Sequence, residues 1–329
     1  MKRRPLLLAA PLLLCHGLFA RAATVAEAPL PVVATISILA DMTREIGGDA
    51  VRVTSLVGPD ADPHAYQPRP GDLRALKIAA VVVENGLGLE PWLPRLLRNA
   101  GFAGRLVVAS AKVSPRTLNE GGKSVPDPHA WQDPRNGVLY VQAIADGLAA
   151  ALPAEAASIR GRAEAYAGRI AALDGALATL FAEIPAERRR LVTSHDAFGY
   201  LAARYGIRVH GIQGLDNASE LSARRMAALA RTVREEGVRT IFLENMEDPR
   251  LARALARETG AAVGPRLYSD ALSPPGGAAG TYLDLLRTNA GLIAAAINTQ
   301  SAATQEIAHN VAQAARGAAQ VATNIAEVN

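Results

Sequence analysis

The chain has six histidines: His16, His64, His129, His195, His210 and His309. Two of them sit in matching frames. Asp62-Pro63-His64-Ala65 lies within GPDADPHAYQPRPGDL (58–73), and Asp127-Pro128-His129-Ala130 opens DPHAWQDPRNG (127–137). His195 follows an apolar run in RLVTSH (190–195), and Asp270 ends another in AVGPRLYSD (262–270). Three neutral imidazoles and one carboxylate make a four-ligand set suited to Zn2+. No two of the four are close enough in sequence to form a local metal motif, so only the fold can bring them together.

The elements that would carry them read as α/β. VVATI (32–36), Val51–Val57, Ala79–Glu84 and RLVVAS (105–110) are continuous apolar, β-rich runs separated at α/β spacing, the pattern of parallel strands covered on both faces. From 154 to 184 the chain has no proline. Ile159, Ala163, Tyr166, Ile170, Leu173, Leu177 and Leu180 recur there every three or four residues. That spacing predicts one long amphipathic helix, roughly 45 Å at 1.5 Å per residue. The α/β pattern then restarts, with strands at 190–195, 208–212, 240–245 and 262–269 and a final helix from Thr281. The expected fold is two doubly wound α/β lobes, 29–153 and 185–297, joined by the helix 154–184. His64, His129, His195 and Asp270 all fall beyond strands. In open α/β sheets ligands gather beyond the carboxyl ends of the strands.

Residues 1–22 read as a secretory signal: Lys2-Arg3-Arg4, then the short apolar LLLAAPLLLCHGLFA (6–20), then Ala20-Arg21-Ala22 as a cleavage site. Cys15 is the only cysteine, and Leu14 stands before it where a lipid-attachment site has a small residue. Removing four basic residues with the signal leaves 35 − 4 = 31 Lys and Arg against 31 Asp and Glu. A neutral balance excludes nucleic acid as the expected partner.

Enzyme readings meet specific obstacles. Ser194, His195 and Asp196 are adjacent, so their side chains cannot form a nucleophile relay. NGLGLEP (85–91) lacks the third glycine of a dinucleotide fingerprint, and there is no P-loop. A three-His zinc hydrolase is the alternative, with Glu244 as general base and one open coordination position. A fourth ligand at Asp270 would close that position, which suits holding a metal over using it. His210, inside a short strand, reads as structural.

Together GPDADPHAYQPRPGDL, ENGLGLEPWL, DPHAWQDPRNG, TSHDAFGYLAARYGI and YSDALSPPGGAAGTYLDLLRTN resemble the zinc/manganese ABC-transporter solute-binding proteins of the ZnuA/TroA type, from about Pro31 to Ile297. The resemblance implies a monomeric, non-enzymatic periplasmic receptor that hands a divalent metal to a membrane permease. It implies two lobes on one rigid helix, and His64, His129, His195 and Asp270 as ligands. Manganese-selective members usually carry glutamate at the third position. His195 there leans towards Zn2+, with Mn2+ as the alternative. The His-rich loop of many zinc members is missing from SPRTLNEGGKSVP (114–126). The tail, 298–329, departs from the family. Ile307, Val311, Ala314, Ala318, Val321, Ile325 and Val328 form a heptad seam with His309 outside it, and this stretch resembles a fragment of the signalling helix of methyl-accepting chemotaxis proteins.

Overall fold

The computed structural model describes residues 28–120, 122–214, 223–246 and 248–298, with Gln313 and Arg316. The expected signal sequence, Cys15, His16, His309 and the heptad seam lie outside the described residues.

The first lobe is built from β1 (Leu30–Ala34), α1 (Ser37–Gly47), β2 (Val51–Ser55), α2 (Pro70–Ile78), β3 (Val81–Glu84), α3 (Leu93–Ala100) and β4 (Arg105–Val108). Its four strands are parallel in the order β2-β1-β3-β4. Successive residues of a strand face opposite sides, and here both sides are apolar. Val32 and Ala34 pack with Ile38 and Met42 of α1, while Val33 between them packs with Leu76 of α2 and Leu93 and Leu96 of α3. This is why the strand reads as an unbroken apolar run.

A short antiparallel hairpin follows, β5 (Thr117–Glu120) with β6 (Lys123–Pro126). Sequence reasoning took this polar stretch for a loop. Its strands have no apolar alternation, so there was no period to detect. The chain then enters α4 (Pro134–Ala151). Asp133 caps that helix, accepting the Arg135 N–H at 2.9 Å, with Pro134 in the first turn where its missing N–H costs nothing.

The connecting helix is α5 (Ala156–Ala182), about 40 Å long at 1.5 Å per residue. Ile159, Ala163, Tyr166, Ile170, Leu177 and Phe181 are its buried stripe, and Leu173 and Leu180 pack beside it partly covered. Arg162 anchors it to the first lobe, donating to the carbonyls of Ile46 (2.7 Å) and Gly47 (2.8 Å) at the end of α1. Those are carbonyls that the helix itself leaves unpaired.

The second lobe contains β7 (Arg190–Thr193), α6 (Gly199–Tyr205), β8 (Arg208–Gly211), α7 (Ala223–Glu235), β9 (Thr240–Glu244), α8 (Arg250–Thr259) and β10 (Ala262–Leu267). Its strands are parallel in the order β10-β9-β7-β8. The same two-faced burial recurs. Leu191 and Phe242 join the core shared with the first lobe, while Val192, Ile241 and Leu243 pack on α7 and α8. A last helix, 282–298, returns to the shared core through Tyr282, Leu285, Leu286 and Ile293. Among the described residues no helix is long and apolar enough to cross a membrane.

In each sheet the chain runs from the first strand to one side, then crosses back to the other. The direction reverses between β1 and β3, and between β7 and β9. A crevice opens at the carboxyl end of such a reversal.

Candidate metal centre

His64, His129, His195 and Asp270 lie together, with one potential ligand atom from each within 4.8 Å of all the others. His64 Nε2 is 3.3 Å from His129 Nε2 and 3.2 Å from Asp270 Oδ2. Asp270 Oδ2 is 3.1 Å from His195 Nε2, and Oδ1 is 3.5 Å from His129 Nε2. Ligands about 2.0–2.1 Å from a tetrahedral centre lie about 3.3 Å from one another. With one atom from each residue, the His64–His129, His64–Asp270 and His195–Asp270 separations fall near that edge length. His129, His195 and Asp270 are fully buried, and His64 keeps about 10 % of its side chain exposed.

The repeated Asp-Pro-His frame has a local cause. Asp62 Oδ1 accepts the His64 backbone N–H at 2.7 Å, and Asp127 Oδ1 accepts the His129 N–H at 3.0 Å. Each aspartate closes a turn over its proline and presents the histidine two residues on. Asp127 goes further, since its Oδ1 also lies 2.8 Å from His129 Nδ1. With that nitrogen protonated and donating, the Nε2 lone pair faces the cluster.

His195 is held in a different way for the same result. It stands just past β7, beside the reversal point. Glu244, the last residue of the neighbouring β9, accepts its backbone N–H through Oε1 at 3.0 Å and places Oε2 2.7 Å from Nδ1. Glu244 is therefore committed to His195 and is not placed to act as a general base. Ser194 and Asp196 form no relay with the imidazole either. Asp196 Oδ1 accepts the Gly211 N–H at 3.0 Å. His210 stays apart from the cluster, 3.1 Å from Glu236 through Nε2.

Asp270 belongs to the second lobe but is positioned by the first. The Trp131 indole N–H donates to the Ser269 carbonyl at 2.9 Å, and the Gln132 amide donates to the same oxygen at 2.7 Å. On the other side Ser37 Oγ accepts the Leu272 N–H at 3.0 Å. Tyr282, just downstream, donates its hydroxyl to the Trp131 carbonyl at 2.6 Å.

The His129 turn rests on a second network that sequence reasoning missed. Asn85, at the end of β3, donates to the Pro128 carbonyl at 3.0 Å and accepts the Tyr140 hydroxyl at 2.6 Å. Buried Glu90 holds this segment, accepting from Thr35 Oγ1 (2.7 Å), Asn85 N–H (2.7 Å) and Gly86 N–H (3.1 Å). Burial pushes the Glu90 carboxyl up to about 7 against the lowering effect of those donors. The sequence signal was the ENGLGLE stretch. Gly86 and Gly88 have φ of +82° and +85°, so the glycines serve a left-handed turn and not a phosphate.

The charges at the centre offset one another. Burial alone would raise the Asp270 carboxyl, but His129 and His195 beside it hold it well below the usual carboxylate range. Burial alone would lower His195, but Glu244 and Asp270 raise it well above an ordinary imidazole. A buried cluster of three imidazoles and one carboxylate, with two further carboxylates behind the rings, is complementary to a cation.

Residues 32–296 match the family model described as "Zinc-uptake complex component A periplasmic". The chain belongs to this family, the metal-binding substrate-binding proteins of ABC transporters. It is 34% identical to the iron-binding protein YfeA of Yersinia pestis, covering 80% of this chain and 85% of that one. It is 35% identical to the zinc-binding protein TroA of Treponema pallidum (81% and 88%). It is 34% identical to the manganese-binding lipoprotein MntA of Bacillus subtilis (83% and 91%). The solved structure of the Treponema protein superposes with a TM-score of 0.77 at 33% identity, covering 82% of this chain and 99% of that one. Family members are transport receptors and not enzymes, and they work with an ABC permease. The zinc hydrolase reading is set aside on this ground.

Proposed function

We propose that the protein is an extracytoplasmic receptor that captures one divalent metal ion with His64 Nε2, His129 Nε2, His195 Nε2 and Asp270, and delivers it to its permease. The observation that carries this reading is the convergence of those four groups, with one potential ligand atom from each within 4.8 Å of all the others. His64 and His129 come from loops of the first lobe, and His195 and Asp270 from strand ends of the second, across the crevice. Residues 1–22 act as the export signal in this reading, and cleavage after Ala22 leaves a chain without cysteine.

Zn2+ is the favoured cargo and Mn2+ the alternative. Three imidazole nitrogens and a single carboxylate make a borderline donor set with few oxygens, whereas Mn2+ prefers oxygen-rich sites. The relatives are named for zinc, manganese and iron, so the preference rests on the donor set of this chain. Four protein ligands leave no open position for a reactive water, as holding a cargo requires.

Delivery demands release, and the ligands differ in how firmly they are built in. His129, His195 and Asp270 are sealed, and the hydrogen bonds from Trp131, Gln132 and Ser37 tie the lobes across the crevice. His64 alone is partly exposed, on the loop 58–69. Release proceeds through movement of that loop while the lobes, braced by α5, stay largely fixed. Competition of Zn2+ and Mn2+ for metal-stripped protein tests the cargo. Hydrogen exchange with and without metal tests the loop, where protection should change most at 58–69.

A further inference from the structure

We propose that the groove between α2 and α3 is the surface on which the permease docks, receiving an acidic polypeptide segment that carries an apolar anchor residue. This rests on the receptor reading above and adds where the partner binds and by what chemistry.

The groove is a concavity of about 580 Å3 walled by Pro68, Pro70, Leu73, Trp92 and Leu96 and rimmed by Arg69 and Arg95. A second concavity adjoins it, sharing Leu73 and Asn99, and is lined by Arg74, Lys77 and Arg98. All five cationic side chains are exposed. Several arginines elsewhere have acidic partners, as in Arg169–Glu45, Arg204–Asp174, Arg208–Glu236 and Arg287–Asp284. Among the described residues none of the five forms an ion pair. The acid nearest to them in sequence, Asp72, is already occupied, accepting the Tyr66 hydroxyl at 2.6 Å and the Arg69 backbone N–H. A chain that is neutral beyond residue 22 thus gathers five cationic side chains here, two on the rim of the apolar cleft and three in the concavity beside it.

Charge complementarity calls for an anion, and the cleft says which kind. A cleft of this size with proline and indole walls accepts a side chain, whereas a lipid surface needs only a flat or convex basic face. An acidic segment with an apolar anchor satisfies both features. Position identifies the partner. The Trp92 indole N–H donates to the Pro63 carbonyl at 3.2 Å, one residue before His64, and the Tyr66 ring packs on Trp92 at 4.8 Å between centroids. The cleft therefore shares a wall with the turn that presents the one partly exposed ligand. A partner that takes the metal must come to that ligand. Binding in the cleft bears on Trp92 and so on the His64 turn, and any such coupling is reciprocal, so metal loading alters docking.

The test uses the full-length receptor and its cognate permease in proteoliposomes. The double variant Arg69→Glu with Arg95→Glu is compared with the wild type, and with Arg250→Glu on the second lobe as a charge control. Co-sedimentation should show the double variant binding at least tenfold more weakly, the wild type losing binding as salt rises, and the control unchanged. Zn2+ titration of the same double variant should match the wild type. Equal docking of wild type and double variant overturns the proposal, as does equal binding of the wild type to permease-free phosphatidylglycerol liposomes. Loss of Zn2+ binding by the wild type itself would instead strike the receptor reading, so the two failures are distinguishable.

Discussion

Glu244 grips His195 at two points: Oε1 accepts its backbone N–H at 3.0 Å and Oε2 stands 2.7 Å from Nδ1. One carboxylate thereby sets both where the residue sits and which ring nitrogen carries the proton. Glu244→Gln breaks this arrangement whichever way the amide turns, because one of its two ends must then present N–H to N–H. Metal affinity should fall about 10–100-fold, the usual consequence of losing an orienting partner behind a histidine ligand. Titration calorimetry checks this, and an unchanged affinity would mean that Glu244 has no orienting role.

Asp127 does for His129 what Glu244 does for His195, through Oδ1 to both the backbone N–H and Nδ1. Asparagine can keep Oδ1 as the acceptor of both, so the informative variant is Asp127→Ala, which should weaken metal binding about 10–100-fold. Asp62 Oδ1 accepts the backbone N–H of His64, whereas Asp127 Oδ1 also faces the ring of its histidine. Asp62→Ala should therefore cost clearly less affinity than Asp127→Ala.

The pH dependence has opposite signs for the metal-free protein and for metal binding. His195 is raised in the folded chain, so its contribution to stability is complete below the ordinary imidazole value of 6.5 and fades as pH rises through its folded value. Asp270 is depressed, so its contribution is present above 3.8 and is lost as pH falls through its folded value. Metal binding needs neutral imidazoles and must displace the proton that His195 holds. The rise in melting temperature on adding Zn2+ should therefore shrink steadily between about pH 8 and about pH 6. Differential scanning calorimetry with and without metal measures it, and an increment independent of pH contradicts the account.

Asn85→Leu removes the donor to the Pro128 carbonyl and the acceptor of the Tyr140 hydroxyl, both buried. Unfolding in urea should show a loss of about 1–3 kcal/mol, the cost of leaving buried polar groups unpaired. Metal affinity should fall as well, because the His129 turn loses its support.

Much of this was legible in the sequence. The continuous apolar runs gave parallel strands buried on both faces, and the stripe from Ile159 to Leu177 gave the long helix. The two Asp-Pro-His frames marked histidines presented by tight turns. Other features left no local trace. The hairpin 117–126 lacks apolar alternation. The roles of Glu244 and Asn85 depend on which strands become neighbours, and that pairing joins residues 49 and 43 positions from their partners. Trp131 gripping the Ser269 carbonyl spans 138 positions. Such contacts exist only once both lobes are packed, so their residues looked like ordinary strand ends and loop aromatics.

The most direct test is calorimetric titration of metal-stripped protein with Zn2+ and with Mn2+, the wild type beside His195→Ala. The expected result is one tight Zn2+ site, weaker binding of Mn2+, and a large loss of Zn2+ affinity in the variant. No tight binding of either ion, or a variant that binds as the wild type does, would contradict the assignment of these four residues as the metal centre.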